Sequence, residues 1–248
     1  MRRLAWMLLA LFAFAPDARA QPLIADLSSH QIAITAGFAG TELLLFGATE
    51  GEGDVVVLVR GPESDARVRR KARVAGIWIN RDEMRFAGAP AFYRVAASKP
   101  LAELVPQAVR LRHQIGTDAL RLMPLGLQGG ADASADEIAL FRQGFVRNKE
   151  AQKLYDAEIG RVAFLGPRLF RTRIQFPANV PTGAYSVEVL LVRQGQVVAA
   201  QTTPMFVNKV GIGADIYDFA HDRAAIYGLI AIFLAVFAGW AAGAVFRK

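Results

Sequence analysis

The sequence predicts a mainly β protein with immunoglobulin-like sandwich elements, a helical insert and one C-terminal transmembrane helix. Three observations carry that prediction. Short apolar runs with two-residue alternation recur up to residue 99 and again after residue 160. The stretch between them changes to helical spacing. From Ala224 to Phe246, 23 consecutive residues carry no charge.

The elements follow in order. Residues 1–20, MRRLAWMLLALFAFAPDARA, begin with Arg2 and Arg3, continue through an apolar core from Leu4 to Ala15, and close on Ala18 and Ala20. A basic start, a core too short to span a bilayer and an A-x-A site are the pattern of a secretory signal peptide. The mature chain is expected to begin at Gln21. Residues 21–99 then read as the N-terminal β-rich part of an exported domain. QIAITAGF alternates Ile32 and Ile34, ELLLFGA follows, and DVVVLVRG is a β-branched and aliphatic run. Between the last two, the Gly-rich acidic loop GATEGEGD is expected to be a hairpin connection. RVRRKARVAGIWIN alternates basic and apolar residues up to Ile77, Trp78 and Ile79; Trp78 is a conceivable ligand platform, but with Ile77 and Ile79 beside it the expectation is core packing. FYRVAASKP offers one more strand.

Residues 100–157 read as the helical insert. Leu101 to His113 is loosely helical, with Pro106 placed to begin or interrupt a helix. GLQGGADAS is a loop. Ser134 and Glu137 form a capping box, and Ile138, Phe141 and Phe145 make one apolar stripe behind it. Residues 158–210 return to strands: RVAFLG, RLFRTRIQFP, and a long segment whose Gln194-Gly195 is a hairpin turn. ANVPTG before that segment is a turn-rich entry of the kind that precedes strands in immunoglobulin-like folds.

The uncharged run 224–246 reaches about 34 Å as a helix, against about 30 Å of hydrocarbon. Asp215, Asp218 and Asp222 precede it, and Arg247 and Lys248 follow as a two-residue tail, 247–248. The bias of Lys and Arg toward the cytoplasmic side predicts an inner-membrane single-pass protein, N-terminal domain periplasmic and C-terminus cytoplasmic. A signal peptide at residues 1–20 requires the same orientation.

Charge and composition then exclude several classes. The formal charge of +7 falls to +3, 24 basic against 21 acidic residues, once residues 1–20 and the last two are set aside. That is weak footing for a nucleic-acid partner, and none is expected. The chain has no cysteine, which removes thiolate catalysis, cysteine metal sites and disulfides.

Asp218, His221 and Asp222 crowd before the anchor with helical spacing that permits a carboxylate–imidazole contact. One imidazole and two carboxylates are a conceivable metal or base site, but a polar collar at the bilayer surface explains them better. His30 and His113 stand in no metal-binding spacing, and Ser28-Ser29 beside His30 cannot pair with it by strand geometry. No phosphate loop, dinucleotide fingerprint or nucleophile elbow occurs. No catalytic residue, metal or cofactor is therefore expected, and the protein is not expected to be an enzyme.

Two patterns remain as candidate contacts. Arg67, Arg69, Lys71 and Arg73, with Arg70 between them, put four cations on one face of a strand. The row suits an anionic ligand, lipid headgroups or an acidic partner; the plainer reading is a solvated edge that resists pairing with other chains. Ala231, Ala235, Gly239 and Gly243 recur every four residues along the anchor, a small-residue groove on which another helix packs, unless the spacing only reflects how common Ala and Gly are in membrane helices.

LSSHQIAITAGFAGTELLLFGA, RGPESDARVRRKARVAGIWIN, FRQGFVRNKEAQKLY, FPANVPTGAYSVEVLL and YDFAHDRAAIYG with GWAAGAVFRK resemble, in the same order, an alphaproteobacterial transmembrane family, Alph_Pro_TM. The resemblance implies a signal peptide, an exported domain and one C-terminal helix, and it carries no assigned catalytic residues. Some members are encoded beside permeases similar to sulfite exporters, which points to a membrane partner of that type. The expected function is a non-enzymatic accessory or interaction subunit of a membrane complex, with the bilayer and another membrane protein or a second copy as partners. The alternative is a periplasmic binding module for an anionic ligand or envelope component.

Overall fold

The computed structural model describes residues 23–127 and 133–245. The expected signal peptide, the middle of GLQGGADAS and the tail Arg247-Lys248 lie outside the described residues. The first half runs β1 (Leu23–Leu27), β2 (Gln31–Ile34), β3 (Gly40–Thr49), β4 (Asp54–Arg60), β5 (Glu63–Val74), β6 (Ile77–Pro90) and β7 (Tyr93–Ala97). Then come α1 (Leu101–Leu104), α2 (Gln107–His113), β8 (Met123–Leu127) and α3 (Ala135–Ala151). The second half is β9 (Gly160–Arg161), β10 (Ala163–Phe164), β11 (Leu169–Pro177), β12 (Gly183–Arg193) and β13 (Gln196–Lys209), followed by α4 (Ile212–Asp222) and α5 (Ala224–Val245).

Three sheets result, in the orders β1-β3-β11-β10, β2-β13-β12-β4-β7-β9 and β5-β6-β8. Both larger sheets take strands from either side of the helical stretch, and that stretch itself contributes β8. The β-rich class with helices and one long C-terminal apolar helix is as the sequence predicts.

Burial follows partner geometry. β11 alternates exposed and buried residues along its length, because one face meets the core and the other meets water. β4 lies between β12 and β7, and its Val55 to Val59 are all buried; a strand covered on both faces reads as a continuous apolar run. The two larger sheets share one core. Phe92 stacks on Phe176 of β11 at 5.0 Å between ring centroids, and Phe176 meets Tyr185 of β12 edge-on at 6.0 Å. The Tyr185 hydroxyl donates back to the Pro181 carbonyl at 2.6 Å, tying the start of β12 to the turn before it.

Local chemistry sets several boundaries. Ser134 accepts from the Glu137 amide and Glu137 accepts from the Ser134 amide, so both halves of the capping box form at the start of α3. Behind it Phe141 and Phe145 are buried and Ile138 packs at the margin. Pro106 begins α2 rather than interrupting it. Gln194 and Gly195 both take positive φ, 50° and 75°, the left-handed pair that joins β12 to β13 in a two-residue turn.

GATEGEGD is not a hairpin. β3 pairs with β1 and β11, whereas β4 pairs with β12 and β7, so this loop carries the chain from one sheet to the other. Gly-rich, acidic turn chemistry serves either connection, and the distant strand partners decide between them.

Candidate functional site

β5 and β6 form a hairpin closed by Ala75-Gly76, both at positive φ. Cross-strand partners share a face, so the register sorts the side chains. On one face Val68 pairs with Met84, Arg70 with Asp82, Ala72 with Ile79 and Val74 with Ile77. On the other, Arg67 pairs with Arg85, Arg69 with Glu83, Lys71 with Asn80 and Arg73 with Trp78. The predicted row Arg67, Arg69, Lys71 and Arg73 thus lies along one strand face, with Trp78 at its far end. A register shift between Arg70 and Lys71 leaves Arg81 as the extra residue on β6.

Near its root the hairpin is covered by α3: Val68, Met84 and Phe86 are buried there, and the Phe86 and Phe145 rings lie 6.2 Å apart. Toward the turn no described residue covers it. Val74, Ile77, Trp78 and Ile79 are exposed, Trp78 to 65%. This corrects the expectation that Ile77, Trp78 and Ile79 pack in the core: the apolar run is there, but α3 covers only the root of the arm.

Of the row, Arg69 alone forms an ion pair among the described residues, donating to Glu83 at 2.6 Å. That hydrogen bond, helped by the charges of Arg69, Arg67 and Arg85, holds the Glu83 carboxyl below its ordinary range against the opposing effect of burial. Arg70, on the other face, pairs with Asp82 and lies over the Phe141 ring at 5.7 Å. At the free edge of β5, a cleft of about 490 Å³ opens against α3, lined by Arg69, Arg70, Lys71, Arg147, Gln143 and Asn148 together with apolar Leu140 and Phe141. It brings Arg69 and Lys71 to Arg147, while Arg67 and Arg73 stay outside it. Sequence reasoning missed Arg147; the one available signal is its place on the flank of the Ile138–Phe141–Phe145 stripe.

A second set of charges went unread in the sequence. Arg60 pairs with Glu188 at 2.7 Å and donates to the His113 carbonyl at 2.7 Å. Arg94 pairs with Asp156 at 2.6 Å, and Arg110 with Asp118 at 3.2 Å. Between them the buried Tyr93 hydroxyl donates to the Gln114 carbonyl at 2.6 Å and accepts from the Gly116 amide at 2.8 Å. Burial pushes its pKa up to about 12. Burial also raises the Asp156 carboxyl, against the pull of Arg94. Of these groups Tyr93, Arg110, Gly116, Asp118 and Asp156 border a cavity of about 500 Å³, but Arg60, Arg94 and Arg110 each already have a carboxylate, and the bonds tie α2 and the loops around it to β4 and β7.

At the membrane end, His221 Nδ1 donates to the Tyr217 carbonyl at 2.9 Å, and the His221 and Tyr217 rings are 3.9 Å apart. The side chain of Asp218 lies outside the described set. No group of residues able to hold a metal occurs among the described residues. His30 Nε2 stands 2.9 Å from Asp26 in an exposed pair, away from Ser28, whose hydroxyl accepts from the Leu44 amide. α4 and α5 are separated at Arg223. Ala224–Ala244 is long and apolar enough to cross a membrane, and none of it is buried against the other described residues. Around Gly239 and Gly243, apart from the adjacent residues and the local helix backbone, no atom of the described residues lies within 4 Å of where a side chain would begin.

Compared with known protein families, residues 22–248 match the family described as "Putative transmembrane protein (Alph_Pro_TM)". Among curated proteins, none matches the chain.

Proposed function

The chain belongs to this transmembrane family, and from that premise we propose that it is a non-enzymatic accessory subunit of a membrane complex. In this reading it is a single-pass inner-membrane protein that holds a periplasmic immunoglobulin-like β-sandwich at the bilayer and meets its partner through the anchor. The observation that carries the reading is α5: a helix of spanning length, not buried against any other described residue, with Ala231, Ala235, Gly239 and Gly243 recurring every four residues. Two apolar helices gain nothing from hydrophobicity inside lipid, so close backbone approach at small residues is what would hold a partner. A permease of the sulfite-exporter kind fits that role.

The test is co-purification in mild detergent. Gly239→Leu with Gly243→Leu should release the partner while insertion stays intact, because leucine suits the bilayer but fills the groove. An unchanged complex would remove the groove from the account. Orientation is tested separately: a reporter active only outside the cytoplasm, fused at Gly211, should be active, and the mature N-terminus should be Gln21.

A second reading has its own observation, the cleft formed by Arg69, Arg70, Lys71 and Arg147. Four cations facing Asp82 and Glu83 leave excess positive charge for an anionic ligand or envelope component. Binding of inorganic phosphate or a polyanion, lost on Lys71→Gln with Arg147→Gln, is the expected result.

A further inference from the structure

The cleft accounts for the root of the arm and leaves its tip unexplained. Between Ala66 and Phe86 the hairpin carries seven Lys and Arg residues against Asp82 and Glu83. At its end it exposes Val74, Ile77, Trp78 and Ile79. A cationic stem with an aliphatic and indole tip is the composition of an element that lies in a membrane interface, where tryptophan settles at headgroup level and basic groups meet phosphate. An acidic protein surface would answer the cations but not the apolar end.

The tether supports the same occupant. β13 ends at Lys209 and the span begins at Ala224, with α4 filling most of the interval. Eleven helical residues and three linking ones keep the β domain within about 25 Å of the bilayer. The arm runs six residues past Val68, the last buried residue of β5, or about 20 Å. Reach and tether are therefore of one size.

We propose that the arm is a second membrane contact: Val74, Ile77, Trp78 and Ile79 enter the interfacial layer of an anionic bilayer while Arg67, Lys71 and Arg73 meet its headgroup phosphates. The inference rests on the second reading above, that cations of this hairpin meet an anion, extends it from Lys71 in the cleft to Arg67 and Arg73 outside it, and names the class. Penetration stops at the interface. Beyond the part paired with β8, the edges of the hairpin carry backbone donors and acceptors with no strand partner among the described residues, and hydrocarbon does not accept such groups.

The experiment uses the full chain with Trp6→Phe and Trp240→Phe, leaving Trp78 as the one indole of three. It is reconstituted in nanodiscs of phosphatidylcholine alone or mixed with phosphatidylglycerol, with and without brominated acyl chains. In the anionic discs Trp78 emission should shift to the blue and be quenched by bromolipid, and both effects should shrink in phosphatidylcholine. Each cation removed should lower the docked-to-free ratio about fivefold, so that Arg67→Gln, Lys71→Gln and Arg73→Gln together cost about a hundredfold. Unquenched Trp78 in anionic discs, with β circular dichroism intact, overturns the proposal and turns the tip over to a protein partner. Equal quenching in both compositions overturns it too, since headgroup charge then does nothing. Phosphate binding at the Arg69–Arg147 cleft beside an unquenched Trp78 would sink this inference and leave the anion reading standing.

Discussion

Two apolar runs of similar composition meet opposite fates. Val55 to Val59 on β4 are at most 1% exposed, while Val74 and Ile77 to Ile79 at the arm tip are 43% to 67% exposed. Both are rich in β-branched residues, with Leu58 in one and Trp78 in the other, and both sit in antiparallel pairs. The difference is what lies above and below. β4 has strands on both sides and residues from the other sheet and the helices over its faces, whereas the arm extends past α3. Hydrophobic sequence marks a surface that needs a cover, and the described fold supplies that cover in one place and leaves the other exposed.

The sharpest way to break the comparison is to cut the same apolar mass from each run. Leu58→Ala in β4 should destabilise the protein by about 2–5 kcal/mol, because neighbours fixed on both faces cannot collapse into the void. Urea unfolding followed by far-UV circular dichroism reads it. A loss below 1 kcal/mol would mean that β4 is not the centre of the core.

Tyr93 faces β4 across the pairing with Arg60, and it tests the polar side of the same region. Tyr93→Phe leaves the Gly116 amide without an acceptor and should cost about 1–3 kcal/mol. It should also reshape the alkaline limb. The Tyr93 pKa stands at about 12 in the fold against 10.0 ordinarily, so the native state favours the neutral phenol. Its contribution is fully present below pH 10 and is lost as pH rises through about 12. The variant should therefore lose stability less steeply over that window.

The smallest effect belongs to the arm. Trp78→Ser should change unfolding free energy by no more than about 0.5 kcal/mol, since an exposed side chain leaves no cavity. A cost near that of Leu58→Ala would show that the tip is covered within the protein and would erase the contrast.

How much of this was legible depends on how local the signal is. The capping box at Ser134 and the turn at Gln194-Gly195 are fixed by neighbours within four residues, and both are read correctly; at Pro106 the sequence leaves open whether a helix begins or is interrupted, and the structure begins one there. The buried run DVVVLVR is visible as a strand. Ile77 to Ile79 were misplaced because exposure depends on where α3 stops, which no window around Trp78 contains. GATEGEGD was misread for the same reason: its turn chemistry is local, but its role is set by partners far along the chain. Of the candidate site, the Arg67–Arg73 row was legible from alternation; its meeting with Arg147 and the ion pairs around Tyr93 were not, since they join segments from different parts of the sequence.

The interleaving of strands across the helical stretch has a kinetic meaning. Arg60 and Glu188 are 128 residues apart, yet they sit on adjacent central strands. Until β12 is available, β4 is an aliphatic strand with one neighbour missing, and β3 likewise waits for β11. Loop closure over such a distance is entropically slow, so contact order places this domain among late, cooperative folders. A ribosome or translocation channel that has delivered only the first two thirds of the chain holds an open, sticky template rather than a half-built domain. In that interval the exposed apolar strands and unpaired edges are the surface on which aggregation and proteolysis act.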